Sequence, residues 1–255
     1  KLEVIRIYDE EMRELFYSWD KLRELLYVYF VELPSRGETC AIEIFYRGKI
    51  VPLPQVEDVT TALQVSDHIV FKPPKFDTYL FSRRSYWYPS PPDDDYFQAR
   101  LRIIVPPEYA CVSNGELVEQ SKLNGGERIE VVEKIGSSVY VFETRRQVKY
   151  LSFIVGGLSK VKEDNGSLPF TLYSSSGIFY QRKVLLDEAK RIVRFYESKF
   201  GSYPYEKLSV VQRLWSTSGG HSPSSFVIRN ELPELVEEER QFQEARSPVD
   251  LSRWK

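Results

Sequence analysis

The residue types best suited to chemistry lie close together, in residues 200–230. Gly219-Gly220 precedes His221, one of only two histidines in the chain, and serines flank this group. The glycines and His221 stand in a polar loop between two short apolar stretches, Leu208 to Val211 and Ser225 to Ile228, which predict strands. Because glycine has no side chain, the backbone amides of such a loop can approach a ligand closely. The pattern predicts a substrate-facing edge, and a surface hairpin with a flexible tip is the alternative.

Two other chemistries fit the sequence less well. Ser218, His221 and Asp95 could form a catalytic triad, but the chain has no Gly-x-Ser-x-Gly nucleophile motif. The acidic run Asp93-Asp94-Asp95 lacks the spaced ligands of a calcium loop, so a solvated turn after Pro91-Pro92 is the better interpretation.

A run of aromatic residues offers a third possibility. Tyr86, Trp87 and Tyr88 are consecutive and could form a flat platform for a sugar ring. In a chain rich in strands, however, such residues more often belong to the core.

Composition indicates a folded chain without a nucleic-acid surface. Of the 255 residues, 42% are hydrophobic and 14% aromatic, which is enough apolar surface for a core. The net charge is −2 and the basic residues are scattered, which excludes a concentrated basic patch. No apolar run approaches the roughly 18 residues of a membrane span. Cys40 and Cys111 lie beside apolar strand patterns, which favours buried free thiols over a disulfide.

Most of the first 165 residues predict β-structure. Alternating apolar and polar residues, or aromatic and β-branched runs, predict short strands that turn residues separate. Their regular spacing indicates an antiparallel sandwich or a curved sheet. The predicted strands are Thr39 to Arg47, Arg100 to Val105, Tyr140 to Thr144 and Tyr150 to Val155, and the predicted hairpin-type turns are Ser113-Asn114-Gly115 and Asn124-Gly125.

Three other segments bear on the fold. Asp9 to Val31 has the charges and leucines of a helix, but its aromatic and β-branched residues favour strands. Val184 to Phe200 predicts an amphipathic helix that ends before Gly201. Its predicted apolar face consists of Leu185, Ala189, Ile192, Tyr196 and Phe200. The charged segment Glu231 to Arg246 predicts a second helix or a mobile insert.

The loop and its surroundings resemble the aminopeptidase-N-like (membrane alanyl aminopeptidase) family of zinc metallopeptidases. In that family a helix ending in Phe-Gly-x-Tyr-Pro-Tyr leads to a strand and then to the exopeptidase loop, and Phe200 to Tyr205 match this motif. Weaker matches in the same order extend the resemblance from Glu38 to Asn230. They are ETCAIEIFYRGKI, SYWYPSPPDDDYFQARLRIIVPPEYACVSNGEL and FETRRQVKYLSFIVGGLSKV.

Two stretches depart from the family pattern. Most relatives have Gly-Ala-Met-Glu-Asn in the loop, whereas this chain has Gly219, Gly220, His221, Ser222 and Pro223. Relatives also carry a Gln or Glu before the Tyr-Pro segment that contacts the substrate amine, and residues 81–85, Phe-Ser-Arg-Arg-Ser, contain neither. Both departures alter positions that hold a free peptide N-terminus in the family.

The resemblance implies a mainly β fold with an α+β C-terminal part. Residues 1–174 would form an antiparallel sandwich-like or saddle-like domain, and residues 175–255 the start of a thermolysin-like catalytic domain. The intact protein would use zinc to hydrolyse peptide bonds near the N-termini of its substrates. Its partners would be a peptide substrate and the C-terminal part of its own chain. The substrate-binding wall would consist of Gly219, Gly220, His221, Ser222, Pro223 and Ser224.

The zinc ligands of this family are not recognisable here. They are two histidines in a His-Glu-x-x-His helix and a downstream glutamate. This chain has only His68 and His221, neither with a partner at helical spacing. We therefore expect a fragment that ends before the zinc helix, binds no metal and is inactive alone. The alternatives are a non-catalytic protein-binding scaffold of the same architecture and a carbohydrate-binding β-sandwich.

Overall fold

The computed structural model describes residues 2–33, 35, 40–50, 52, 78–90, 96–123, 136–165, 168–175, 182–214 and 220–231. These residues form mainly antiparallel β-structure with one α-helix, which confirms the predicted fold class. Several sequence predictions lie outside the described residues, namely those on Gly219, His68, Ser218, Asp93 to Asp95, Asn124-Gly125 and the segment from 232 to 246.

The elements are numbered in chain order. The strands are β1 (Leu2–Asp9), β2 (Phe16–Asp20), β3 (Leu25–Tyr29), β4 (Ile42–Gly48), β5 (Thr78–Phe81), β6 (Arg100–Val105), β7 (Ala110–Ser113), β8 (Glu116–Lys122), β9 (Ser138–Glu143), β10 (Phe153–Gly156), β11 (Leu158–Asn165), β12 (Pro169–Ser175), β13 (Leu208–Leu214), β14 (Gly220–His221) and β15 (Phe226–Glu231). The helix α1 spans Arg182–Phe200, and a short 3-10 helix spans Arg83–Ser85.

The chain divides into two compact units. The first comprises Lys1–Val51 with Ser85–Tyr88, and the second comprises Pro52–Arg84 with Pro89–Lys255. The predicted division after residue 174 falls near the end of β12, inside a sheet of the second unit, and stays a prediction.

The first unit contains two antiparallel strand pairs. β1 pairs with β4, and β2 pairs with β3, so the segment from Asp9 to Val31 forms strands as predicted. Asp9 stabilises the turn after β1, because its carboxylate accepts hydrogen bonds from the backbone and the guanidinium of Arg13. The prediction for Cys40 was wrong: it precedes β4 and is exposed, whereas Cys111 on β7 is buried, and both are free thiols. The alternation that suggested burial begins only with Ile44 and Tyr46.

The second unit contains two three-stranded antiparallel sheets, with orders β5-β10-β7 and β6-β9-β8. Ser113-Asn114-Gly115 joins the first of these sheets to the second, so the predicted hairpin was wrong. The Asn-Gly pair does supply the expected positive φ, +79° at Gly115. The turn residues were therefore recognised correctly, but the strands on either side take different partners.

A five-stranded mixed sheet completes the second unit, with order β11-β12-β13-β15-β14. β12, β13 and β15 are parallel, while β11 and β14 are antiparallel additions at the two edges. Because β13 and β15 are parallel, a simple hairpin cannot join them. The segment between them is a crossover, and not the surface hairpin that was the alternative prediction. In the described part of this segment, β14 and β15 form a short hairpin.

One face of the mixed sheet packs against β5, β7 and β10, through a core cluster of Leu80, Val112, Ile154, Leu158, Val211, Phe226 and Ile228. The opposite face packs against α1, through Leu185, Leu186 and Val193 of the helix. The sheet is thus covered on both sides, as a sheet with parallel strands requires.

The helix ends at Phe200 as predicted and begins at Arg182, two residues before the predicted start. Its predicted apolar face was partly wrong. Leu185 is buried and Ala189 packs against the core, whereas Ile192, Tyr196 and Phe200 are exposed. Leu186 and Val193 are buried instead, so the contact face is rotated about the helix axis. The helix ends as predicted, because Gly201 adopts φ +89° and its N–H donates to the Glu197 carbonyl at 3.0 Å.

Candidate functional site

The predicted loop forms the edge of the mixed sheet. β14 pairs only with β15, with Gly220 opposite Arg229 and His221 opposite Ile228. In the described sheet no strand covers the other side of β14. Such an edge presents backbone N–H and C=O groups that an extended chain can pair with.

Five of the six predicted site residues are described, and they differ in exposure. Gly220 and Ser222 are exposed, His221 and Ser224 are half-buried, and Pro223 is buried. The turn closes through Ser225, which adopts φ +68°. The exposed members are therefore on the edge strand and at the start of the turn.

Gly220 is required by close packing of the backbone. A Cβ atom at this position would meet the carbonyl oxygen of Ile228 at less than 3.0 Å. The sequence predicts that the glycines at 219 and 220 let backbone amides approach a ligand closely. The structure gives Gly220 a second role, since its bare Cα lets β14 lie close to β15.

We expect Gly220→Ala to lower the free energy of unfolding by about 1 to 2 kcal/mol, the modest end of overpacking costs because a two-residue edge strand can shift. It should also speed amide exchange at Gly220 and His221. Urea unfolding and hydrogen exchange followed by mass spectrometry measure the two effects. Ser222→Ala, an exposed change in the same hairpin, is the control. Equal stability and exchange in the two variants would contradict the packing argument.

His221 is held by a chain of buried hydroxyl groups. Its Nε2 lies 2.9 Å from Ser82 Oγ, and Ser82 Oγ lies 2.7 Å from Ser152 Oγ. Ser82 and Ser152 are both buried, so neither hydroxyl is placed to attack a substrate as a nucleophile. These hydrogen bonds hold the imidazole ring next to the end of β5 and the start of β10. Ser82 belongs to the second stretch that departs from the family pattern, so the two departures are in direct contact.

The electrostatic surroundings of His221 are positive. Burial, Arg213 and Arg84 together lower the pKa of His221 below its ordinary value of 6.5. Arg213 is itself buried, donates from Nε to Asn230 Oδ1 at 2.9 Å, and has a pKa that burial lowers to about 10. His221 is therefore neutral at physiological pH, and its neutral Nε2 can accept the Ser82 hydroxyl proton.

This pKa shift predicts a pH-dependent stability. Below about pH 6.5 the unfolded chain takes up a proton at His221 that the folded chain resists, so stability falls as the pH is lowered through that range. Denaturant unfolding at pH 7.5 and at pH 5.5 should show a smaller loss for His221→Gln than for the unmodified chain. His68 is common to both proteins and cancels in the difference. An equal loss in the two proteins would mean that His221 titrates normally.

Two residues that sequence reasoning did not select hold the turn in place. Asn114 is fully buried, donates from Nδ2 to the Ser224 carbonyl at 2.8 Å, and accepts the Ser152 backbone N–H at 2.5 Å. The backbone N–H of Gly115 donates to Ser225 Oγ at 2.9 Å. The Asn-Gly signal was visible in the sequence, but it indicated only a turn. Nothing local shows that this turn lies against residues 110 positions later.

The described residues do not fit a zinc site. Around His221 they place a serine hydroxyl and two arginines, and positive groups oppose a bound cation. The described part of the chain also contains no group of three His, Cys, Asp or Glu side chains arranged for a metal.

The sugar platform suggested by Tyr86, Trp87 and Tyr88 is not formed. Trp87 is only 7% exposed, and its ring meets that of Tyr88 at 61° rather than in one plane. Trp87 is therefore buried and offers no exposed ring face for a sugar. None of the helical segments that the structure describes has both the length and the apolar character of a membrane span.

Comparisons with known proteins give a consistent fold. No family model matches the chain. A 113-residue part, 44% of the chain, is 29% identical to Aminopeptidase 2 of Candida albicans and covers 11% of that protein. Among solved structures, an M1 zinc metallopeptidase from Deinococcus radiodurans matches with a TM-score of 0.64 at 15% identity, over 91% of this chain and 50% of that one.

A mutant of the Deinococcus metallopeptidase bound to a Tyr-Ser-Ala substrate matches with a TM-score of 0.63 at 16% identity. That match covers 94% of this chain and 52% of the other. The chain thus spans about half the length of these solved structures, and its matched part spans about a ninth of the curated relative. Its mainly antiparallel fold with one described helix is that of the amino-terminal β region of the M1 zinc metallopeptidases.

Proposed function

We propose that this chain is the amino-terminal part of an M1-type zinc metallopeptidase that hydrolyses peptide bonds near substrate N-termini. The observation that carries the proposal is the shared fold, which extends over nine-tenths of the chain. One of the solved structures with this fold has a tripeptide bound. The short sequence match to an aminopeptidase supports it independently. In this proposal the chain contributes the β domain and one wall of the substrate cleft.

The wall is the edge strand β14 with the turn that follows. An extended peptide can add to β14 as a further strand, with backbone hydrogen bonds supplying affinity. Gly220 is exposed and has no side chain to obstruct the approach, and His221 is fixed beside it by Ser82. The role of Gly219, Gly220, His221, Ser222, Pro223 and Ser224 is therefore to bind and orient substrate.

The chemistry of the reaction depends on zinc. When zinc is bound in such enzymes, it supplies a water nucleophile at neutral pH. The described residues do not fit the metal, so in this proposal zinc is held by other residues of the intact protein. The described part of the chain positions the peptide and excludes water from one side of it.

The test uses the protein expressed from its complete natural coding sequence. Zinc content is measured by elemental analysis, and hydrolysis is measured on aminoacyl amides and on longer peptides, with and without a chelator. We expect stoichiometric zinc and cleavage that the chelator abolishes. A well-folded protein with neither zinc nor cleavage would overturn the proposal and support the protein-binding scaffold instead.

Comparison of free and acetylated peptides adds a second result. The loop and the segment 81–85 both lack the acidic residues expected around a substrate amine. We therefore expect acetylation to slow cleavage less than it does for an aminopeptidase with the usual loop.

A further inference from the structure

The edge strand β14 lies in a cluster of positive groups. Among the described residues, the charged groups that act on His221 are two arginines, Arg213 and Arg84. Arg84 is exposed on the short 3-10 helix that begins one residue after Ser82, the hydrogen-bond partner of His221. Arg84 is therefore linked to the edge strand through the neighbouring Ser82 and its hydrogen bond to His221.

The strand register places His221 and Arg213 on the same face of the sheet. His221 lies opposite Ile228, and Arg213 lies opposite Asn230, two residues further along β15. Alternate residues of a strand point to the same side, so Ile228 and Asn230 share a face, and their partners His221 and Arg213 share it too. The contact of Arg213 Nε with Asn230 Oδ1 agrees with this arrangement.

We propose that this edge selects extended peptides that carry a carboxylate, either an Asp or Glu side chain or a C-terminal carboxylate, next to the segment paired with β14. The proposal rests on the proposed function and names its substrate class. The backbone of β14 binds the peptide as an added strand, and the exposed guanidinium of Arg84 binds its negative group, while the buried Arg213 adds positive potential beside His221. A peptide is favoured over other anions because a strand edge offers pairing groups to a peptide backbone.

Electrostatics sets the direction of this preference. Arg213 keeps its charge at neutral pH, since its pKa of about 10 is still well above 7. A carboxylate bound by the exposed guanidinium of Arg84 gains charge-assisted hydrogen bonds and is also attracted by the charge of Arg213, whereas an ammonium group at the same place is repelled. The site therefore prefers a negative group and disfavours a free amine.

The experiment measures binding of fluorescein-labelled peptides of one length to the 255-residue chain by fluorescence anisotropy. One peptide carries an internal Glu and an amidated C-terminus, one carries Gln at that position, one carries Lys, and a fourth carries Gln with a free C-terminal carboxylate. We expect the Glu peptide, the free-carboxylate peptide or both to bind about 10-fold tighter than the Gln peptide, a difference typical of a charged hydrogen bond. The Lys peptide should bind weakest. The first and fourth peptides distinguish the two sources of the carboxylate.

Matched arginine variants locate the effect. Arg84→Gln should reduce the preference for carboxylate about 3-fold, as removal of one exposed charge contact does. Arg146→Gln, which alters an exposed arginine in the turn between β9 and β10, should leave the preference unchanged. Both changes are on the surface, so both variants should fold.

A proton NMR titration gives a readout at the site itself. The chain has two histidines, and His68→Gln leaves His221 as the only imidazole signal. Binding of a carboxylate beside His221 should raise its pKa, and the Gln peptide should not.

Each outcome decides the inference. Equal affinity for the Glu, Gln and free-carboxylate peptides, or equal behaviour of the two arginine variants, would overturn the carboxylate preference while leaving peptide binding at β14 intact. Absence of binding by every peptide to a folded chain would overturn the inference as well. The proposed metallopeptidase function fails separately, through the zinc and hydrolysis measurements on the complete protein.

Discussion

Gly115→Ala is expected to lower the free energy of unfolding by about 2 to 5 kcal/mol, because two costs combine at this position. Gly115 has φ +79°, a conformation that disfavours any residue with a Cβ atom. The added Cβ would also lie within 3.0 Å of the backbone of Glu143 and Thr144, which cannot move as a flexible side chain could. Denaturant unfolding measures the loss.

Gly136→Ala separates the two costs. Gly136 has a similar φ of +90°, but an added Cβ would meet no atom of the described residues within 4 Å. Its replacement should cost only the conformational part, about 1 to 2 kcal/mol. Equal losses for the two variants would show that the contact with Glu143 and Thr144 is unimportant. Gly115→Ala should further disturb the Ser225 turn, which its backbone N–H supports.

Asn114→Ala should lower the free energy of unfolding by about 2 to 4 kcal/mol, since it leaves one buried and one partly buried backbone group without their partner. These groups are the N–H of Ser152 and the carbonyl of Ser224. Amide exchange should increase over Ser222 to Ser225, a local effect that a uniform loss of stability would not produce. Urea unfolding and hydrogen exchange together provide the measurement.

Ser121→Ala is the control for Asn114→Ala, because Ser121 is exposed and its hydroxyl donates to the exposed side chain of Glu119 at 3.1 Å. Its effect should stay within about 0.5 kcal/mol, as for most surface changes. An Asn114→Ala protein that matches this control would show that water replaces the lost side chain. The role of Asn114 in holding the substrate-facing turn would then be wrong.

The sequence predicted the secondary-structure elements better than it predicted which strands pair with each other. Arg100 to Val105 became β6 with the predicted bounds, because alternation and the prolines that follow are local signals. The Asn-Gly pair at 114–115 gave the turn but not its context, since β7 and β8 find their partners through distant burial. Strand pairing depends on contacts that no short window contains.

The same limit applies to the helix and to the candidate site. Leu185, Tyr196 and Phe200 recur at helical spacing, but packing on the sheet selected the leucines and Val193 and left both aromatic rings exposed. His221 was recognisable as an unusual residue between glycines and serines. Its partner Ser82 was not, because a serine next to two arginines has no distinctive local pattern. The positive character of the site became visible only when Arg84 and Arg213 were located near His221.

The contacts that hold the edge strand also constrain when it can form during folding. Ser82 is 139 residues from His221 along the chain, and Asn114 is 110 residues from Ser224. Closing such long loops is entropically costly and slow, so contacts of this kind form late. During synthesis the wall can assemble only after β15 has left the ribosome, when the sheets that receive it are already available. The part proposed to meet substrate is therefore completed later than the two three-stranded sheets that precede it in the chain.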